Sequence, residues 1–258
     1  MAQPRPGDQR RAGRSEALND PLERTTIGCL NESPLHAALK NWLAQPGDRC
    51  EEQIEGFRID IVRGDLLIEV QTRNFSALKH KLWQLVPQHR LRLVYPVARE
   101  KWLLKRAGDG QGRPSRRKSP KRGRVEDLFR ELVSFPELAL LPNFSLEVLL
   151  IQEEEVRHHD ARRAWRRQGW VTEERRLLQV LERRLFETPA DYGALLPGEL
   201  ADPFTTADLA QALRRPRSLA QKMAYCLRRM DVIGSVGRRD RYVLYSRGGG
   251  APVRDPRT

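Results

Sequence analysis

The chain has 258 residues, 39% of them hydrophobic, with 47 Lys and Arg against 34 Asp and Glu, a net charge of +13. That apolar content excludes a wholly disordered chain. No apolar run nears the ~18 residues of a membrane span, and the polar N-terminus lacks the apolar stretch of a secretory signal. Three cysteines, Cys29, Cys50 and Cys226, without a CxxC, argue against a disulfide framework or a structural zinc site and point to a reducing, cytoplasmic setting. The surplus charge, 39 Arg to 8 Lys, suits phosphate backbones or an anionic surface. With no membrane span, DNA is the expected partner; charge alone does not separate it from RNA.

Residues 1–28 are polar and rich in Arg, Pro and Gly, and read as a disordered basic tail. The stretch NESPLHAALKNWL predicts a helix with Ser33 as cap and Pro34 at its first position. Leu35, Ala38, Leu39, Trp42 and Leu43 form its apolar stripe. Three short strand-like segments follow, CEEQIEGF, FRIDIVR and DLLIEVQ, then a helix in FSALKHKLWQLV and a buried strand in RLRLVYPVA.

The stretch FRIDIVRGDLLIEVQ, residues 57–71, carries the chemistry. Gly64-Asp65 suits a two-residue hairpin loop of type II′. That loop sets Arg63 opposite Leu66, Val62 opposite Leu67, Ile61 opposite Ile68 and Asp60 opposite Glu69. Strict alternation gives an apolar face of Phe57, Ile59, Ile61, Leu66, Ile68 and Val70. The other face holds Arg58, Asp60, Val62, Leu67, Glu69 and Gln71. Two carboxylates across a ladder repel. A hard divalent cation, Mg²⁺ or Mn²⁺, would offset that repulsion, since such ions bind one or two carboxylates plus water and phosphate. Without an ion, this face is the solvated polar side of a hairpin, partly neutralised by Arg58.

Asp60, eight residues, then Glu69-Val70-Gln71 on a second strand resembles the core of the PD-(D/E)XK nuclease superfamily. The resemblance implies a small mixed sheet flanked by helices. It implies Asp60 and Glu69 as metal ligands, with Glu32 of ESPLHAALK assisting from the first helix. Glu32, His36 and Lys40 recur every four residues, although Glu32 precedes the cap. Gln71 stands where the family has lysine. Some restriction enzymes and competence-associated nucleases of the superfamily resemble this chain in that respect. Gln71 would then orient a water, and Lys79 or Lys81 would supply the charge from the next helix.

Residues 105–124 are a basic low-complexity segment, nine Lys or Arg in twenty. It is read as a phosphate-tracking loop centred on Arg116, Arg117 and Lys118. VEDLFRELV predicts a short helix and FSLEVLLIQ a last strand. Glu153-Glu154-Glu155 reads as a solvated strand end or a partner for later arginines, and His158-His159-Asp160 as a polar junction rather than a metal site. Beyond 160 the text turns Arg-rich, and RRLLQVLERRLFE reads as a helix with Leu177, Leu178, Leu181, Leu185 and Phe186 on one face. Then come a helix capped by Thr205 or Thr206, a helix capped by Ser218, and two strands, VIGSV and RYVLY, joined at 237–240. That order resembles a winged helix-turn-helix. Its recognition helix would offer Gln221, Lys222, Tyr225, Arg228 and Arg229 to base edges, and its wing Arg238, Arg239 and Arg241 to the backbone.

The expected architecture is α/β: a PD-(D/E)XK-like mixed sheet flanked by helices, followed by a mostly helical winged-helix domain. Its parts are a tail at 1–28, a nuclease-like domain at 29–160, an Arg-rich helical connector at 161–189, a winged helix at 190–246 and a tail at 247–258. The expected function is Mg²⁺- or Mn²⁺-dependent hydrolysis of DNA phosphodiesters, with a homodimer where both strands are cut. The alternative is a catalytically inactive regulator or accessory protein that keeps the fold and binds DNA.

Overall fold

A computed structural model describes residues 32–106, 114–160 and 169–248. The chain divides into a unit of Met1–Glu32 and a unit of Ser33–Thr258. Glu32 is the one described residue of the first unit. The tail at 1–28, Cys29, residues 107–113 of the basic segment, residues 161–168 of the connector and residues 249–258 of the second tail lie outside the described residues.

The second unit is mixed α/β. Its elements are α1 (Pro34–Leu43), β1 (Arg49–Ile54), β2 (Phe57–Arg63), β3 (Leu66–Val70), α2 (Lys79–Leu85), β4 (Arg90–Lys105) and β5 (Ser115–Lys118). Next come α3 (Phe129–Leu132), β6 (Phe144–His159) and β7 (Trp170–Phe186). The C-terminal stretch holds α4 (Pro189–Gly193), α5 (Thr206–Leu213), α6 (Arg217–Arg229), β8 (Ile233–Arg239) and β9 (Tyr242–Arg247). Seven strands form one sheet in the order β1-β2-β3-β4-β6-β7, with β5 on β4. The β1-β2-β3 meander is antiparallel, α2 carries the chain over to a parallel β4, and β6 is parallel to β4 in turn.

Two apolar layers hold the sheet. On one face Leu35, Leu39 and Leu43 of α1 pack on Ile61, Ile68, Val70, Val94, Leu149 and Ile151. Ser33 caps α1 by accepting the His36 N–H, and Pro34 opens the helix. On the other face α2, α3 and α6 contribute to a larger core with Ile59, Val62, Leu67, Leu93, Leu146 and Val148. The alternation of β4 and β6 thus serves two cores, as expected of central strands covered on both sides.

The expected helix at 175–187 is a strand. β7 runs for 17 residues and pairs antiparallel with β6. The leucine spacing of RRLLQVLERRLFE fits a helix, but the edge of β6 decides. Glu147, Glu153, Glu154 and Glu155 of β6 are all under 9% exposed. Buried carboxylates need cations. Arg175 donates to Glu153 at 2.9 Å, Arg183 to Glu147 at 2.5 Å, and Thr172 to Glu155 at 2.6 Å. Leu177 and Val180 turn toward α1, while Leu178, Leu181 and Leu185 stay about two-fifths exposed.

Other expectations are corrected on a smaller scale. Within the 105–124 segment, residues 115–118 are not loop: β5 pairs with the part of β4 that β3 does not reach. A chain too polar to fold alone gains order by completing a ladder already present. Ser218 is not a cap; α6 begins at Arg217 after Pro216. The β8–β9 hairpin turns at Asp240-Arg241 rather than 237–240, since Arg239 pairs with Tyr242.

Candidate active site

The hairpin loop fixes the register as its turn chemistry demands. Gly64 adopts a left-handed φ of +57°, and Arg63, Val62 and Ile61 face Leu66, Leu67 and Ile68. The ladder between β2 and β3 ends there. Asp60 does not face Glu69 across a regular pair; its Oδ2 accepts the Val70 N–H at 2.8 Å. A side chain takes the place of a backbone carbonyl, so the carboxylate is wedged into the end of the ladder.

The same step breaks the expected faces. Ile59 joins the core under α2, whereas Ile61 joins the core under α1. The apolar face of strict alternation is therefore split at Asp60. On the β1 side Cys50 pairs with Ile61 and Glu52 with Ile59, while the intervening Glu51 sits at a left-handed φ of +59°. That backbone is unfavourable for a residue with a Cβ. It turns Glu51 toward Lys40 and Arg58, with which it forms ion pairs. Glu51 carries no sequence signal for this role; a left-handed glutamate inside a strand is visible only in the backbone.

Asp60 and Glu69 are 9% and 8% exposed. α1 and α2 supply cations from two directions. His36 Nε2 lies 2.8 Å from the Val70 carbonyl and 3.3 Å from Asp60 Oδ2. A carbonyl only accepts, so Nε2 carries the proton. Lys40 Nζ is 3.9 Å from Asp60 Oδ1. From α2, Lys81 Nζ reaches Glu69 Oε2 at 2.7 Å and donates to the Arg58 carbonyl. Burial, and then the negative charge of Asp60, push the Glu69 carboxyl up to about 7, against the pull of Lys81. Glu69 Oε2 is buried, and the Lys81 ammonium is its neighbour.

Of the expected site residues, Asp60, Glu69 and Lys81 come together, with His36 and Lys40 beside them. Lys79 is exposed at the start of α2. Gln71 donates its backbone N–H to Val94 and its side-chain Nε2 to the Asn74 carbonyl at 3.2 Å, so its amide is turned to the following loop. Glu32 lies before the Ser33 cap and outside α1. No group of three or more His, Cys, Asp or Glu side chains placed to hold a metal occurs among the described residues.

The expected DNA contacts divide. Arg116 is held by Glu154 at 2.7 Å and by the Trp102 ring, and Lys118 by Glu100 at 2.8 Å; Arg117 is exposed. Lys222 donates to the Arg130 carbonyl at 3.0 Å, Arg229 to Glu137 at 2.6 Å, and Arg239 to Asp208. Gln221, Tyr225, Arg228 and Arg241 instead border an open groove between α6 and β9. Arg238 is exposed on β8.

A family model described as a domain of unknown function (DUF8091) matches residues 33–187. The chain belongs to that family. An uncharacterised protein of Treponema pallidum (strain Nichols) is 32% identical over 187 residues, covering 72% of this chain and 74% of its own length. No solved structure matches. The DUF8091 match begins at the cap of α1 and ends just past β7. It therefore contains Asp60, Glu69 and Lys81 and takes in the strand that neutralises β6, while α4 to β9 lie beyond it.

Proposed function

We propose that this chain is a metal-dependent nuclease that hydrolyses DNA phosphodiesters, held on its substrate by the segment from α4 to β9. The observation that carries the reading is the pair of buried carboxylates, Asp60 and Glu69, with Lys81 at 2.7 Å from the second. The meander, crossover helix and parallel strand that support the pair are in the order the PD-(D/E)XK resemblance implies. Lys81 offers the positive charge that Gln71 lacks.

The residues fit a divalent cation. Asp60 and Glu69 are buried oxygen donors close enough for the charge of the first to oppose ionisation of the second, and the Lys81 ammonium 2.7 Å from Glu69 Oε2 marks that oxygen as a cation's neighbour. Asp60 and Glu69 would hold the ion, and waters and a substrate phosphate would complete its shell. The chemistry such an ion supplies is polarisation of a phosphoryl oxygen and activation of a water. The chain itself orients Asp60 through the Val70 amide, shields both acids and sets the Lys81 ammonium beside Glu69, from where it would meet charge building on a phosphoryl group.

For the C-terminal segment, the reading is a winged helix. Its support is the order of α4, the Phe204–Tyr245 bridge, α5, α6 and the β8–β9 hairpin. The net charge of +13 and the exposed face of α6 favour DNA as partner. Free thiols at Cys50 and Cys226 support a cytoplasmic setting. No helix among the described residues is long and apolar enough to cross a membrane.

Supercoiled plasmid incubated with the protein and Mg²⁺ or Mn²⁺ should be nicked, and the Asp60→Ala Glu69→Ala protein should leave it intact. Equal nicking by both proteins would overturn the reading. One observation favours a catalytically inactive DNA-binding accessory protein: Lys40 and Lys81 already neutralise the two acids. Calorimetric titration with Mn²⁺ separates the two, since only the enzyme should show a carboxylate-dependent site.

A further inference from the structure

Between α6 and β9 lies a groove of about 280 Å³. That is just below the ~300–1,000 Å³ of pockets for drug-sized ligands, a size that suits one flat ring system. Its walls include Gln221, Tyr225 and Arg228 of α6, and Arg241, Tyr242 and Tyr245 of the hairpin; among the described residues none of the lining is acidic.

Met223, Ala224, Cys226 and Leu227 are the buried neighbours of Tyr225 on α6. Tyr225 itself is 50% exposed, so the fold does not use its ring. The guanidiniums of Arg217 and Arg241 lie 4.6 and 5.2 Å from the centre of the Tyr242 ring. Arg241 also donates to the Tyr242 hydroxyl at 2.9 and 3.1 Å, and this charge holds the phenol below its usual range. Tyr242 thus fixes two cations at the rim without neutralising either. Arg228 has no acidic partner among the described residues. The contrast with Arg215, Arg229 and Arg239, each tied to an acid, is sharp.

We propose that this groove binds an unpaired nucleotide of a DNA strand, with Tyr225 stacked on the base and Arg217, Arg228 and Arg241 on the flanking phosphates. An aromatic face accepts any base, and stacking of this kind is sequence-tolerant. Guanidiniums match phosphate geometry. In a continuous duplex the base faces are covered by their neighbours, so the ring would have nothing to stack on. The groove therefore favours single-stranded ends over blunt duplex. An acidic peptide would satisfy the arginines and leave the ring idle. This inference rests on the proposed function only in taking DNA as the partner; it does not need cleavage.

The test is fluorescence anisotropy in EDTA at a fixed, stated salt concentration, with the full-length protein. The probes are a fluorescein-labelled oligothymidylate, a blunt duplex and the same duplex with a single-stranded overhang. The oligothymidylate and the overhang should bind more tightly than the blunt duplex. Tyr225→Ala should weaken both by about tenfold, the scale of one lost stack, and weaken the blunt duplex by clearly less. Tyr225→Phe should bind as the natural chain does. Equal affinity for all three probes, an equal loss on all three in Tyr225→Ala, or a loss in Tyr225→Phe would overturn the proposal. So would displacement of the oligothymidylate by polyglutamate at equal concentration. Because EDTA removes divalent ions, failure here leaves the nuclease reading standing. Equal nicking by the natural and the Asp60→Ala Glu69→Ala proteins, which would overturn the nuclease reading, likewise leaves this one standing.

Discussion

Asp60 and Glu69 share a dry corner because each is anchored from a different element. The Val70 amide and His36 fix the first, and Lys81 holds the second. This makes Lys81, rather than Gln71, the side chain whose loss should be felt. Lys81→Ala is expected to lower plasmid nicking by about a hundredfold, the scale of removing one donor that meets developing charge. Gln71→Ala should leave the rate nearly unchanged, since its amide serves the Asn74 carbonyl. Initial rates of nicking for the two variants check both statements. The acids and their spacing were readable from FRIDIVRGDLLIEVQ. The wedge at Asp60 was not: alternation assumes an unbroken ladder, and the left-handed Glu51 shows that it is broken.

At the scale of elements, β6 and β7 form a charged seam inside the sheet. Glu153 is fully buried between Lys101 at 2.8 Å and Arg175 at 2.5 Å. Glu153→Ala leaves the partly exposed Arg175 without this acid, while Lys101 keeps Glu155 at 2.9 Å. With both cations partly solvated, the loss should fall below the ~3–5 kcal/mol of breaking a fully buried pair, and chemical denaturation should register it. Glu155 responds to pH. Burial alone would raise its carboxyl, but bonds from Thr172, Lys101 and Arg157 outweigh burial and hold it near a pKa of about 2, below the ordinary 4.5. The folded chain thus binds this proton less readily than the unfolded one. The stabilisation is full above the ordinary value and is lost as pH falls from 4.5 toward 2. Glu155→Gln should flatten that part of the melting-temperature profile. The seam also explains why RRLLQVLERRLFE defeats periodicity. Its arginines are needed by acids 22 and 36 residues earlier, and local helix preference yields to that demand.

For the whole molecule, one continuous core extends from Ile59 and Leu67 of the sheet through Phe129 and Leu132 to Leu219, Met223 and Leu227 of α6. Ion pairs from Arg215 to Asp127 and from Arg229 to Glu137 tie the same parts together. Heating should therefore give a single calorimetric transition, with calorimetric and van't Hoff enthalpies equal. Truncation after Phe186 should expose the α3 side of this core and yield insoluble protein. Two separated transitions would show that the C-terminal segment stands alone.

From residue order without coordinates one could read the caps of α1 and α5, the Gly64-Asp65 turn, the pairing of β2 with β3, the two acids and the basic excess. All of these depend on contacts a few residues apart, or on composition, and local chemistry settles them. The state of β7, the pairing of β5, the engagement of Lys222 by the Arg130 carbonyl and of Arg229 by Glu137, and the choice of Lys81 over Lys79 depend on partners far along the chain. Such choices emerge only when distant segments compete for the same buried charge or the same open strand edge, and folding is what brings the competitors together.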